Sequence, residues 1–150
     1  MTPSRHQRRQ AEVLLVEDNP ADARLIAEIL RGGPIPKNLR VVGNGDEALR
    51  FMRRQGAYLE APRPSLVVLD LNLPGTDGRD VLRELKSDPD LRCIPVVVLT
   101  TSGAPTDVRH AYELQANAYV VKPVGLDAFT EVIRALEQFW LAKAQLPGPI

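Results

Sequence analysis

The chain has 150 residues, 44% of them apolar and 25% charged, with lysine plus arginine and aspartate plus glutamate each totalling 19. One globular domain with a sizeable core fits that length, and a formal charge of zero removes any general electrostatic pull toward nucleic acid or an anionic membrane. No apolar run approaches the roughly 20 residues that span a bilayer, no apolar signal core follows the start, and the single cysteine, Cys93, excludes an intrachain disulfide or thiolate cluster.

In chain order, Arg5, His6, Arg8 and Arg9 mark residues 1–10 as a flexible basic tail. Val13–Val16 reads as the first strand and ends in Glu17-Asp18. Asn19-Pro20-Ala21-Asp22 then starts a helix with Leu25, Ile26, Ile29 and Leu30 as its apolar stripe, stopped at Gly32-Gly33-Pro34. Leu39–Val42 is the second strand, and Asn44-Gly45-Asp46-Glu47 opens a helix that ends near Gly56. After a proline-bearing loop, Leu66–Leu69 is a continuous apolar run that ends at Asp70, the pattern of a strand buried on both faces.

Thr76-Asp77-Gly78 begins a third helix that Asp88-Pro89 closes. Cys93 is expected to be buried and passive. Val96–Leu99 is the fourth strand, ending in Thr100-Thr101, and Pro105 through Leu114 is the fourth helix. Ala118–Val121 is the fifth strand and ends in Lys122. A last helix runs from Leu126 to about Leu141, its core stripe Leu126, Phe129, Ile133, Leu136 and Trp140, with Val132 and Phe139 partly exposed beside it. Leu146-Pro147-Gly148-Pro149 reads as a frayed end and residues 142–150 as a C-terminal tail, which leaves 11–141 as the domain.

Alternating strands and helices demand a parallel sheet, because each crossover helix returns the chain to the same edge. The class is therefore α/β, a doubly wound five-stranded sheet with helices on both faces. In that architecture the strand C-termini converge where ligands bind. Glu17, Asp18 and Asp70 would then lie together, and packed carboxylates repel unless a cation offsets them. Oxygen ligands without His or Cys favour magnesium; His6 and His110 lack ligand spacing. Lys122 can meet a phosphoryl group from the far side, and the Thr100 hydroxyl can hydrogen-bond one of its oxygens. No glycine-rich phosphate loop follows the first strand, so a covalent phosphoryl group on an aspartate is the remaining option.

Val13-Leu14-Leu15-Val16-Glu17-Asp18-Asn19, Leu69 through Gly78, Thr100 and Val121-Lys122-Pro123 resemble, in order and spacing, the response-regulator receiver domain, over about residues 11–140. In detail the chain is similar to the stand-alone regulators paired with bacterial phytochrome histidine kinases. Pro95–Ser102 and the ending Glu137-Gln138-Phe139-Trp140-Leu141 carry that narrower likeness. The resemblance implies the flavodoxin-like receiver fold with strand order 2-1-3-4-5. It makes Asp70 the phosphoacceptor, with Mg2+ held by Glu17, Asp18, Asp70 and the backbone carbonyl of Asn72. Lys122 would bond the phosphoryl group, Pro123 would follow a cis bond, and Thr100 with Tyr119 would form the switch. Its implied partners are a sensor histidine kinase of bacteriophytochrome type, a phosphotransfer protein, and a second copy of the chain through Phe139 and Trp140.

Three departures stand out. Glu17-Asp18 replaces the commoner Asp-Asp, Thr101 occupies a position often Ala or Gly, and Asn72 and Ser102 flank the site where dephosphorylation is tuned. Plainer readings exist for each residue. Asp70 could cap the Thr76–Gly78 region, Glu17-Asp18 could favour a helix start, and Tyr119 could simply pack on the sheet. The rival functions are a phosphorelay intermediate, an aspartyl-nucleophile phosphatase and a non-phosphorylated scaffold. Such phosphatases usually carry a second acid two residues after the nucleophile, where this chain has Asn72. The few residues after Trp140 argue against a DNA-binding or enzymatic output domain, and the chain reads as a non-enzymatic cytoplasmic signalling protein.

Overall fold

A computed structural model describes residues 10–148, so the basic cluster at Arg5, His6, Arg8 and Arg9 lies outside the described residues. Among the described residues there are five strands: β1 (Ala11–Val16), β2 (Lys37–Val42), β3 (Leu66–Leu69), β4 (Val96–Thr100) and β5 (Ala118–Val121). They pair in parallel in the order β2-β1-β3-β4-β5. The helices are α1 (Pro20–Arg31), α2 (Gly45–Met52), α3 (Gly78–Ser87), α4 (Pro105–Glu113) and α5 (Leu126–Glu137). Strand and helix identities match the sequence reading. The structure lengthens β1 and β2 at their starts and carries β4 through Thr100, because ladder hydrogen bonds continue past the apolar core of each run.

Strand alternation builds the three layers. Val13 and Leu15 of β1, with Leu66, Val68, Val97 and Leu99, pack against Ile26, Leu30, Phe129, Ile133 and Leu136 of α1 and α5. Leu14 and Val16, with Val67, Leu69, Val96 and Val98, meet Met52, Leu82, Leu85 and Ala111 from α2, α3 and α4. Every residue of β3 and β4 is buried, which is why those runs are apolar throughout except for the closing Thr100. The chain leaves β1 toward β2 on one side and returns to β3 on the other. That reversal opens a crevice at the C-terminal ends of β1 and β3.

Caps set the helix starts at this end of the sheet. The Asn19 side chain accepts the Asp22 N–H, Asn44 accepts that of Glu47, and Asp77 accepts that of Arg79. Gly78, the first residue of α3, lies so close to β3 that a Cβ would come 2.5 Å from the Asp70 carbonyl oxygen and 2.5 Å from Leu71 Cα. Only a hydrogen fits there, and the Gly78 N–H bonds the Leu71 carbonyl at 3.0 Å.

The structure corrects several expectations. Cys93 is exposed: it sits in the turn after α3, where its neighbours Leu91 and Ile94 take the inward positions. Leu126 is 62% exposed, and Asp127 and Ala128 after it are exposed too, so the buried stripe begins at Phe129. No cis peptide bond occurs among the described residues, so Lys122–Pro123 is trans, the form a prolyl bond favours intrinsically by about 0.5–1 kcal/mol. After Glu137 the last helix widens into a π-helical segment, Gln138–Lys143. Leu146 then packs against the α1–α5 layer, so the tail is not simply frayed at that residue, and residues 149–150 lie outside the described residues. No helix among the described residues is long and apolar enough to cross a membrane.

Candidate functional site

Two carboxylates enter the crevice from adjacent strands. Backbone bonds from Glu17 N to the Val42 carbonyl and from Asp70 N to the Val16 carbonyl, each 3.0 Å, extend the sheet one residue past β1 and β3. The ladder therefore aims both side chains, and both are buried. Asp18 is exposed at the rim. Glu17, Asp18 and Asp70 offer carboxylate oxygens that all lie within 4.8 Å of one another.

Lys122 arrives from the distant edge strand β5, its backbone N–H bonded to the Thr100 carbonyl at 2.7 Å. Its ammonium meets three carboxylates: Glu17 Oε1 at 2.6 Å, Asp70 Oδ2 at 3.0 Å and Asp22 Oδ2 at 3.0 Å. The other Asp70 oxygen, Oδ1, accepts the Asn72 N–H at 3.0 Å. The Asn72 side-chain amide reaches Thr100 Oγ1 at 3.4 Å, which brings the β4 hydroxyl into the same network.

This arrangement separates the two buried acids. Burial, and next to it the Asp70 charge, raises the Glu17 carboxyl to about 7 despite the Lys122 bond. Burial would raise Asp70 as well, but the Asn72 N–H and Lys122 outweigh it and hold Asp70 below the usual carboxylate range. Lys122 also feels burial most, yet its bonds to Glu17, Asp70 and Asp22 push it above its ordinary value. The lysine is thus a fixed cation and Asp70 a fixed anion.

The donor set suits a hard divalent cation. With all groups ionised, the carboxylates of Glu17, Asp18, Asp22 and Asp70 together with the one ammonium leave a formal charge of −3. All the available ligand atoms are oxygens, and the exposed Asp18 leaves the rim open to water.

Of the other anticipated residues, Tyr119 is half-buried and donates its hydroxyl to the Ser102 carbonyl at 2.8 Å. It is tied to the loop after β4, not to the carboxylates. Pro123 follows Lys122 directly, half-buried, and Thr101 is exposed. Phe139 and Trp140 lie away from the crevice on the π-helical segment, as an edge-to-face pair 5.3 Å apart, with Phe139 55% exposed.

Two participants escaped the sequence reading. Asp22 was visible there only as part of a helix start; its place one turn after Asp18 was the available signal. The second is a chain of contacts in which Ser102 bonds Asp107, and Asp107 meets Arg79 at 3.4 Å. It joins the loop after β4 to the start of α3.

Comparison with known proteins agrees with this geometry. The family description "Response regulator receiver domain" matches residues 13–134. The response regulator Rcp1 of Synechocystis is 47% identical over 136 residues, spanning 91% of this chain and 92% of that protein. Among solved structures, the Mn(2+)-bound form of Rcp1 superposes with a TM-score of 0.89 at 46% identity, covering 92% of this chain and 99% of that one. The phosphorylated cyanobacterial phytochrome response regulator RcpA superposes with a TM-score of 0.90 at 46% identity, covering 93% of this chain and all of that one (100%).

Proposed function

The chain belongs to the response regulator receiver domain family, and we propose that it takes a phosphoryl group onto Asp70 from the phosphohistidine of a sensor kinase. It is a response regulator of a two-component phosphorelay. The observation that carries the residue assignment is the buried, ionised Asp70 carboxylate, gripped by Lys122 and set beside Glu17 and Asp18.

The chemistry follows from these side chains. Asp70 is already an anion, so attack needs no general base. One carboxylate oxygen forms a bond to phosphorus as the phosphorus–nitrogen bond of the donor breaks, its electron pair remaining on the imidazole. The Lys122 ammonium faces the added negative oxygens, and Thr100 offers its hydroxyl to one of them. Mg2+ fits Glu17, Asp18, Asp70 and the Asn72 carbonyl, and when bound it supplies charge neutralisation for the carboxylates and the phosphoryl oxygens.

The new charge then biases a two-state element. Thr100 moves toward the phosphoryl oxygen, and Tyr119 follows into the space vacated, exchanging its bond to the Ser102 carbonyl. With Asn72 where a phosphatase carries its second acid, the only chemistry is gain and loss of the chain's own phosphoryl group. The names of the relatives point to a phytochrome-type kinase as donor. The exposed Phe139 beside Trp140 supports self-association through the end of α5.

The test is intact-mass analysis after incubation with acetyl phosphate, with and without Mg2+. A gain of one phosphoryl group that needs Mg2+ and vanishes in Asp70→Asn is expected. An unchanged wild-type mass would overturn the assignment, and turnover of added phosphomonoesters would favour a phosphatase.

A further inference from the structure

We propose that Asp22 is the positioning residue for Lys122, holding its ammonium beside Asp70 while Glu17 and Asp70 exchange their partners. This rests on the reading of Asp70 as phosphoacceptor.

An ammonium has three N–H donors, and the three carboxylates that surround Lys122 occupy all of them. Two of those acceptors have other duties. Glu17 and Asp70 belong to the oxygen cluster that suits a divalent cation. Asp70 also changes chemically: once its oxygen bonds phosphorus, the carboxylate charge that attracts the ammonium is lost from that group. Asp22 shares neither duty. It is outside the cluster, and it approaches the ammonium from α1, with its side chain 30% exposed.

The local structure holds Asp22 still. Pro20 sets the first helical φ, and the Asp22 N–H bonds Asn19 Oδ1 at 3.0 Å. The helix start thus fixes this carboxylate independently of the strand ends that carry Glu17 and Asp70. Lys122 needs such a fixed point, since its flexible four-carbon stem carries the ammonium from the edge strand β5 across the end of β4 to the carboxylates of β3 and β1. Asp22 consequently supplies the one acceptor that persists through the transfer.

The experiment compares Asp22→Ala with Asp22→Asn. Both remove one negative charge, but only the asparagine keeps an acceptor for Lys122. The reaction followed is transfer from acetyl phosphate: an Asp70 oxygen–phosphorus bond forms, the bond from phosphorus to the acetyl oxygen breaks, and acetate leaves with the electron pair. At saturating Mg2+ and donor, Asp22→Ala should slow phosphorylation about tenfold, the effect of losing one charge-assisted hydrogen bond. Asp22→Asn should stay within about threefold of wild type by the same reasoning. In a Lys122→Ala background, Asp22→Ala should add nothing.

A second readout needs neither metal nor donor. The 15N ammonium resonance of Lys122, identified by its loss in Lys122→Ala, should be retained in Asp22→Asn and broadened in Asp22→Ala. Equal rates for the two Asp22 variants, an undiminished effect in the Lys122→Ala background, or an unaltered ammonium resonance would each overturn the proposal. Failure of the wild type to gain phosphate would instead remove the assignment of Asp70, and the ammonium resonance would still decide the role of Asp22.

Discussion

Replacing Glu137 with glutamine tests whether a buried ion pair secures the last helix. Lys37, at the start of β2, places its ammonium 2.7 Å from Glu137 Oε2 at the end of α5, and both side chains are only 2% exposed. Lys37 also donates to the Leu30 carbonyl. At that separation and an effective dielectric of about 20, the gross attraction is about 6 kcal/mol. Desolvation of both ions consumes much of it, and breaking such a pair typically costs about 3–5 kcal/mol because one charge stays buried and uncompensated.

The geometry here favours the lower part of that range. Oε2 is within ion-pair distance, yet its angle gives it no directed hydrogen bond. The backbone carbonyl of Leu30 also remains as an acceptor after substitution. Glu137→Gln should therefore lower unfolding free energy by about 3 kcal/mol, measured by urea denaturation with an unchanged slope. The double variant Lys37→Met, Glu137→Leu should recover most of that loss, since apolar side chains of similar volume remove both desolvation penalties. A Glu137→Gln protein within about 1 kcal/mol of wild type would refute the reasoning, because the lysine charge would then be solvated or otherwise paired.

Other outcomes follow from the same structure. Glu17 binds a proton more tightly in the folded chain, at about 7 against an ordinary 4.5. Its contribution to stability is therefore complete below about 4.5 and is lost as pH rises through about 7. In metal-free protein the slope should approach about 1.4 kcal/mol per pH unit. Saturating Mg2+ should suppress that fall, and a flat metal-free profile between pH 4.5 and 7 would count against the assignment. Gly78→Ala should destabilise by about 1–3 kcal/mol by overpacking, and should slow phosphorylation by displacing the backbone of Asp70 and Leu71. Wild-type stability together with wild-type kinetics in this variant would refute the close approach. Exposed Cys93 should react stoichiometrically with a thiol reagent in the native state, whereas reaction only after denaturation would return it to the core.

Much of the fold and part of the site were legible in the chain because they depend on local pattern. Continuous apolar runs identify β3 and β4 as central strands, and cap residues at Asn19, Asn44 and Asp77 mark helix starts. The carboxylates at the ends of two such strands, together with Lys122, follow from where parallel strands must end. Periodicity identifies an inward face, but not what covers it. Leu126 continues the apolar spacing of α5 yet has nothing above it, and Cys93 lies between two residues that turn inward in its place.

Long polar side chains lie further beyond local reading, because their partners are set by packing between distant segments. Lys37 and Glu137 meet only because α1 and α5 share one face of the sheet, and Asp22 meets Lys122 only because β1 and β5 both end at the crevice. The sequence by itself determined the sheet, its ligand-bearing end and the acids that gather there. Tertiary structure alone decided which oxygens hold the lysine and how deeply each acid is buried: burial raises the Glu17 carboxyl to about 7, while the Asn72 N–H and Lys122 keep Asp70 ionised. The physical reason is reach: a spacing pattern specifies directions along one element, whereas charge pairing depends on distances of about 3 Å between elements.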